Sequence, residues 1–143
     1  MPHEVPALWK MVLELWNTGK PELAPEVYAA TAEHREPGHE AIHGPKEIAH
    51  WISVLHTAFP DFRMQITRTI TDANQFVLCW NCYGTQKGEF LGIAPTGRRV
   101  DLSGVTVGRL SRGRIHDERV YYDRLGFLED VGAAPQRELA TMH

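Results

Sequence analysis

Residues 61–122 read as strand with no helical interruption, and this restricts the fold more than any other part of the sequence. Phe62, Met64, Ile66 and Ile70 alternate with Arg63, Gln65, Thr67 and Thr69, the period of two that makes a half-buried strand. Asn74 marks a turn into a second strand over 76–86, which Lys87 and Gly88 bend. Pro95, Thr96 and Gly97 turn the chain into a third strand over 100–110. Arg112 and Gly113 make a hairpin turn into a fourth over 115–122. Consecutive strands joined by turns predict an antiparallel sheet, not βαβ units.

Helical spacing is confined to the segments on either side. Val5, Leu8, Trp9, Val12, Leu15 and Trp16 form one buried stripe, and Gly19 stops it. A short second helix is expected over 21–30, with Pro21 at its start. Residues 33–44, EHREPGHEAIHG, hold two glycines, a proline and three histidines without periodicity and predict a loop. A third helix opens at Gly44-Pro45, where proline suits the first turn. Its stripe is Ile48, Trp51, Ile52, Leu55 and Phe59, and Pro60 ends it. A last short helix over 124–131 is capped by Gly132. The expected architecture is α+β: a cone-shaped barrel whose curved antiparallel sheet packs against three helices around an apolar pocket. One domain over 1–132 and a loose polar tail over 133–143 complete it.

The chain's 143 residues suit one domain with a core of its own. Its net charge of −3, with both signs interspersed, gives no basic footprint for nucleic acid. No apolar run approaches the length of a membrane span. The opening MPHEVPALWK carries Glu4 and no small-residue cleavage site, unlike a signal peptide, so a soluble cytoplasmic protein is expected. Cys79 and Cys82 form a CxxC in the strand-like run QFVLCWNCYG. Three residues apart in a strand, the two sulfurs point to opposite faces, against a redox or metal role.

The segment GTQKGEFLGIAPTGRRV, residues 84–100, resembles the signature of SnoaL-like proteins, in the nuclear-transport-factor-like superfamily. The run RLSRGRIHDERVYYDRLGFLEDVG resembles that family's ending, and WNTGK and HGPKEIAHWI match upstream in place and type. The resemblance implies a cone-shaped fold, a homodimer or homotetramer, and no cofactor. It includes aromatic polyketide cyclases, which close a ring by an intramolecular aldol step, and has ketosteroid isomerase and limonene epoxide hydrolase as relatives. Against the cyclases, Val120 stands where their pocket aspartate acts as base, and Thr106 where they hold a pocket histidine. Gln86 replaces the histidine of the family's G-T-H, and Arg119 a tryptophan near the last strand, whereas Asp123 matches.

Alternation along the last strand puts His116, Glu118, Val120 and Tyr122 on one face. With Val120 facing the pocket by the resemblance, Glu118 and Tyr122 are candidate acid–base groups, since a carboxylate among aromatic walls has its pKa raised. Asp123 is either a pocket acid or the N-cap of the last helix. His34 lies where family members place a histidine near the pocket, and imidazole suits proton transfer at neutral pH. His34, His39 and His43 lack a recognised ligand spacing, so no metal is expected. Arg68, on the apolar register of its strand, either pairs with a pocket carboxylate or marks where the strand meets solvent. Trp51, Leu55, Phe59, Trp80 and Phe90, with Thr106 and Val120, are candidate walls.

The expected function is a cofactor-independent cyclase, isomerase or lyase acting by acid–base chemistry on a hydrophobic, polyketide-like small molecule. An epoxide-opening enzyme on the same fold is one alternative. The other is a hydrophobic-ligand-binding protein that kept the cavity without the base.

Overall fold

A computed structural model describes residues 5–133. Helix α1 (Val5–Thr18) forms on the stripe its spacing predicts, burying Leu8, Trp9, Val12 and Leu15. Gly19 ends it at φ 72°, its N–H donating to the Leu15 carbonyl at 2.8 Å. Helix α3 (Gly44–Ala58) starts on Pro45 and buries Ile48, Trp51 and Ile52.

The expected second helix is cut short. A 3-10 turn (Pro21–Leu23) and one turn of helix, α2 (Ala24–Val27), give way to strand β1 (Tyr28–Arg35), followed by the short β2 (Ile42–His43). Residues 28–35 therefore correct both the helix over 21–30 and the start of the loop over 33–44. β1 pairs parallel to β6 (Arg114–Tyr122), and a register shift between Tyr28 and Glu33 breaks its alternation. Without an unbroken period of two, the strand leaves no pattern in the sequence.

Strands β3 (Arg63–Asp72), β4 (Gln75–Thr85) and β5 (Arg99–Ser111) form where their alternation predicts, antiparallel through to β6. The sheet runs β2-β1-β6-β5-β4-β3, so it is six-stranded, mixed and unclosed. Its inner face meets α1 at β3 and α3 at β1, giving the α+β, cone-like fold. Helix α4 (Arg124–Asp130) closes one end, with Phe127 buried. It stops in a Schellman arrangement: Gly132 N–H donates to the Glu129 carbonyl and Ala133 N–H to Leu128. The expected tail lies, beyond Ala133, outside the described residues.

Two bulges set which side chains face inward. A shift between Arg109 and Leu110 pairs Leu110 with Ile115 but Arg109 with Asp117, leaving His116 as the extra residue. Ile115 and Glu118 are thus both buried while His116 is exposed, which corrects the single face expected for His116 and Glu118. A second shift between Ile66 and Arg68 sends Arg68 to solvent. Glycine supplies the remaining room. A Cβ on Gly104 would stand 2.5 Å from the Trp80 ring, so only glycine opposite Trp80 lets the indole cross the sheet surface.

Candidate functional site

A cavity of about 120 Å³ lies between the inner sheet face, α1 and α3. Leu55 and Phe59 reach it from the end of α3, and Val12 and Trp16 from α1. Phe62, Met64, Ile66, Leu78, Trp80, Leu102, Thr106 and Val120 come from the strands. Phe90 and Phe127 form the far wall, with ring centroids 6.0 Å apart at 76°, an edge-on packing. Of the expected walls, Leu55, Phe59, Trp80, Phe90, Thr106 and Val120 all line this space. Trp51 stands behind it instead. Its ring packs on Phe90 at 5.5 Å, and its indole N–H reaches Glu36.

The wall's polar part is a chain of buried side chains. His34, fully buried, has Nδ1 2.6 Å from Glu118 Oε2 and Nε2 2.7 Å from Glu36 Oε2. Tyr28 donates its hydroxyl to the same Glu118 oxygen at 2.7 Å, and the Trp16 indole N–H donates to the Tyr28 oxygen at 3.1 Å. Trp51 Nε1 donates to Glu36 Oε2 at 3.0 Å. Burial by itself pulls the His34 pKa down. The hydrogen bonds and charges of Glu118 and Glu36 outweigh it and raise the pKa to about 10. At neutral pH the ring is therefore an imidazolium donating from both nitrogens, one to each carboxylate. Burial and the Glu118 charge hold the Tyr28 pKa well above its usual value, so it remains a phenol donor.

β1 explains how this chain assembles. His34 and Glu36 are two residues apart, so both point inward at the strand's end. Glu118 meets them from β6, whose register pairs it with His34. Glu36 lies within the segment expected to be loop, and the sequence alone assigns it no role. Its signal was the spacing from His34, legible only once the chain there is known to be extended.

Among the described residues, both hydrogen bonds to Glu36 fall on Oε2, so Oε1 is uncommitted while the side chain borders the cavity. Thr106 accepts from Trp80 Nε1 at 2.9 Å, which leaves its own hydroxyl proton free. Tyr122 lines the cavity, its hydroxyl directed at the Pro37 carbonyl at 3.4 Å, and burial pushes its pKa up to about 12. Asp123 is exposed and outside the cavity. Its Oδ1 accepts from the Gly126 N–H at 2.9 Å as the N-cap of α4. Gln86, buried, ties down the turn after β4 by donating to the Gly88 and Ile93 carbonyls.

The histidines of the 33–44 segment diverge. His39 is exposed, its ring 4.3 Å from that of Trp51, and His43 is exposed beside Glu33. Cys82 faces the cavity and Cys79 does not, as their spacing predicts. Burial raises the Cys82 pKa to about 12, so it is a thiol at neutral pH.

The sequence profile of the SnoaL-like polyketide cyclase family matches residues 7–131. No curated protein matches the chain. Among solved structures, TsrD from Streptomyces laurentii superposes with a TM-score of 0.82 at 22% identity, over 90% of this chain and 95% of that one. A candidate SnoaL-like polyketide cyclase from Jannaschia Sp. CCS1 gives 0.78 at 22% identity, over 94% and 99%. IdmH, a candidate polyketide cyclase from Streptomyces antibioticus, gives 0.76 at 22% identity, over 91% and 99%. At such identities the likeness establishes the fold.

Proposed function

Because the chain belongs to the SnoaL-like polyketide cyclase family, we propose that it is a cofactor-independent enzyme of the cyclase or isomerase type, moving protons on a hydrophobic, polyketide-like molecule held in the cavity. The observation that carries this reading is Glu36, a carboxylate on a largely apolar wall with one oxygen held and the other open. Glu36 takes the part of the family aspartate whose place Val120 occupies. His34 and Trp51 both donate to Oε2 and fix the carboxylate's orientation. Glu118 and Tyr28 in turn hold His34.

In the cyclase form of the reaction, Glu36 Oε1 takes a proton from a carbon beside a substrate carbonyl. The electron pair passes to the carbonyl oxygen as an enolate, which the free Thr106 hydroxyl meets as a hydrogen-bond donor. The enolate carbon then bonds to a second carbonyl of the same molecule, and Glu36 returns its proton to the new alkoxide. The product is an isomer of the substrate, so no redox partner is needed. The apolar walls contribute by holding a flexible chain folded for ring closure. His34 has both N–H groups engaged, so it is a positioning residue and not the proton donor.

Solvent deuterium exchange into the carbon acid 2-tetralone, followed by NMR, tests the base. Glu36→Gln is expected to slow catalysed exchange by about a hundredfold, whereas Asp123→Asn, on the exposed cap, leaves it unchanged. Equal exchange in Glu36→Gln and the wild type would remove Glu36 from the reaction. Val120 at the base position favours a second reading, a carrier of hydrophobic ligands. Bound 2-tetralone with no exchange above buffer would support it.

The outer sheet face supports a homodimer or homotetramer. Ile70, Val107 and Tyr121 are 46%, 42% and 50% exposed there, with Val77 and Val105 between them in register. Tyr121→Glu is expected to lower the sedimenting mass to that of one chain. A wild type already sedimenting as a monomer would refute the assembly.

A further inference from the structure

The charges of the cavity wall do not balance. Glu36 and Glu118 bring two carboxylates, His34 one imidazolium, and the rest of the lining is apolar, aromatic or uncharged. Among the described residues, no lysine or arginine lines the space. Two guanidiniums touch wall residues from outside. Arg99 lies 4.5 Å from the Tyr83 ring centroid and pairs with Asp101, and Arg124 bears on the Tyr122 phenol while donating to the Pro37 carbonyl at 3.4 Å. The imidazolium is spent on its neighbours, since each ring nitrogen faces a carboxylate oxygen within 2.7 Å. Among the described residues no cation other than His34 lines the cavity itself, so its lining carries one net negative charge with Glu36 Oε1 uncommitted. Aromatic rings line the same cavity: Trp16, 5.5 Å from the His34 ring, with Phe59, Phe62, Trp80 and Phe90. A carboxylate acceptor in a cavity walled by aromatic rings is the environment a desolvated organic cation requires.

We propose that the cavity selects an apolar small molecule bearing a protonated nitrogen, an ammonium or iminium group whose N–H donates to Glu36 Oε1, over its neutral isostere, and that it rejects carboxylates. This specificity rests on the reading of the cavity as the substrate site. It goes further by naming a charge that the substrate itself carries. An anion entering here would lose its hydration, face a wall of its own sign and find no free cation among the described residues that line it.

Calorimetric titration of the full chain near pH 7.5 with benzylammonium, benzyl alcohol and benzoate tests the proposal, the three ligands sharing one ring and differing in charge. Benzylammonium is expected to bind about tenfold or more tightly than the alcohol, and benzoate not measurably. In Glu36→Gln the advantage over the alcohol should vanish. A second measurement needs no variant: the Glu36 carboxyl ¹³C resonance of the wild type should move with benzylammonium and stay in place with benzyl alcohol. Equal affinity for alcohol and ammonium would overturn the charge preference and leave the hydrophobic-substrate reading standing. Benzoate binding as tightly as benzylammonium would overturn it as well. Failure of all three ligands to bind would overturn both readings, while 2-tetralone exchange with no amine preference would sink this one alone.

Discussion

Replacing Glu118 with alanine is expected to cost about 3 kcal/mol of folding stability, the lower end of the range for breaking a buried ion pair from one side. Glu118 is 6% exposed, and its Oε2 receives both the His34 ring and the Tyr28 hydroxyl. Truncation leaves a buried phenol donor without its acceptor and an imidazolium without one of its two counter-charges. Glu36 still flanks His34 on the other side, which keeps the cost from the upper end of the range. Glu118→Gln preserves shape and one acceptor, so it should lose less. The sharper measurement is a double-mutant cycle by denaturant unfolding with Glu118→Gln and His34→Gln. Each single variant strands the other group's charge, so the double variant should lose clearly less than the two singles summed. Additive losses, or a loss below about 1 kcal/mol for Glu118→Ala, would mean that the pair is not coupled as the geometry implies.

That pair also marks where the sequence could and could not be read. Glu118 was reachable because β6 carries an inward alternation past Val120, and His34 through the resemblance. His116 looked equivalent to Glu118 because alternation assumes an unbroken strand. One extra residue at the Arg109/Leu110 shift reverses the face of everything before it. The same physics hid β1. Its residues 28–32, YAATA, have the small and aromatic content of a helix end, and its strand identity comes from parallel pairing with β6, a long-range contact that leaves no local period. Glu36 was lost with it. Asp123 shows the opposite case. Its side chain acts within its own turn, on the Gly126 N–H, and such local capping chemistry is visible in sequence as one of two readings. Hairpin turns with positive φ at Arg112 and Gly113, and the stripes of α1 and α3, are equally local and form where the sequence predicts them. Site chemistry that depends on register between distant strands is not.

Stability should fall as the pH rises from about 6.5 towards 10, the window set by His34. The folded pKa lies above the unfolded one, so the folded state binds a proton that the unfolded chain releases first. The stabilisation is complete below the unfolded value and is lost as pH climbs through the folded one. A folded pKa raised to about 10 makes His34 the group of the site that acts first on the alkaline limb. Burial raises Cys82 and Tyr122 to about 12 and Tyr28 well above its usual value, and these add losses of the same sign, from about pH 8 for the cysteine and about pH 9 for the tyrosines, where their unfolded forms begin to ionise. The two limbs can therefore be separated. Denaturant midpoints between about pH 6.5 and 8 should decline in the wild type and lie flat in His34→Gln, with both proteins declining above about pH 8.5. The ring itself supplies the independent check, since ¹⁵N shifts of His34 should report two protonated nitrogens throughout pH 6–9. A neutral tautomer at pH 7.5 would remove the imidazolium. It would also leave the negative wall without its central cation, and with it the arrangement that orients Glu36.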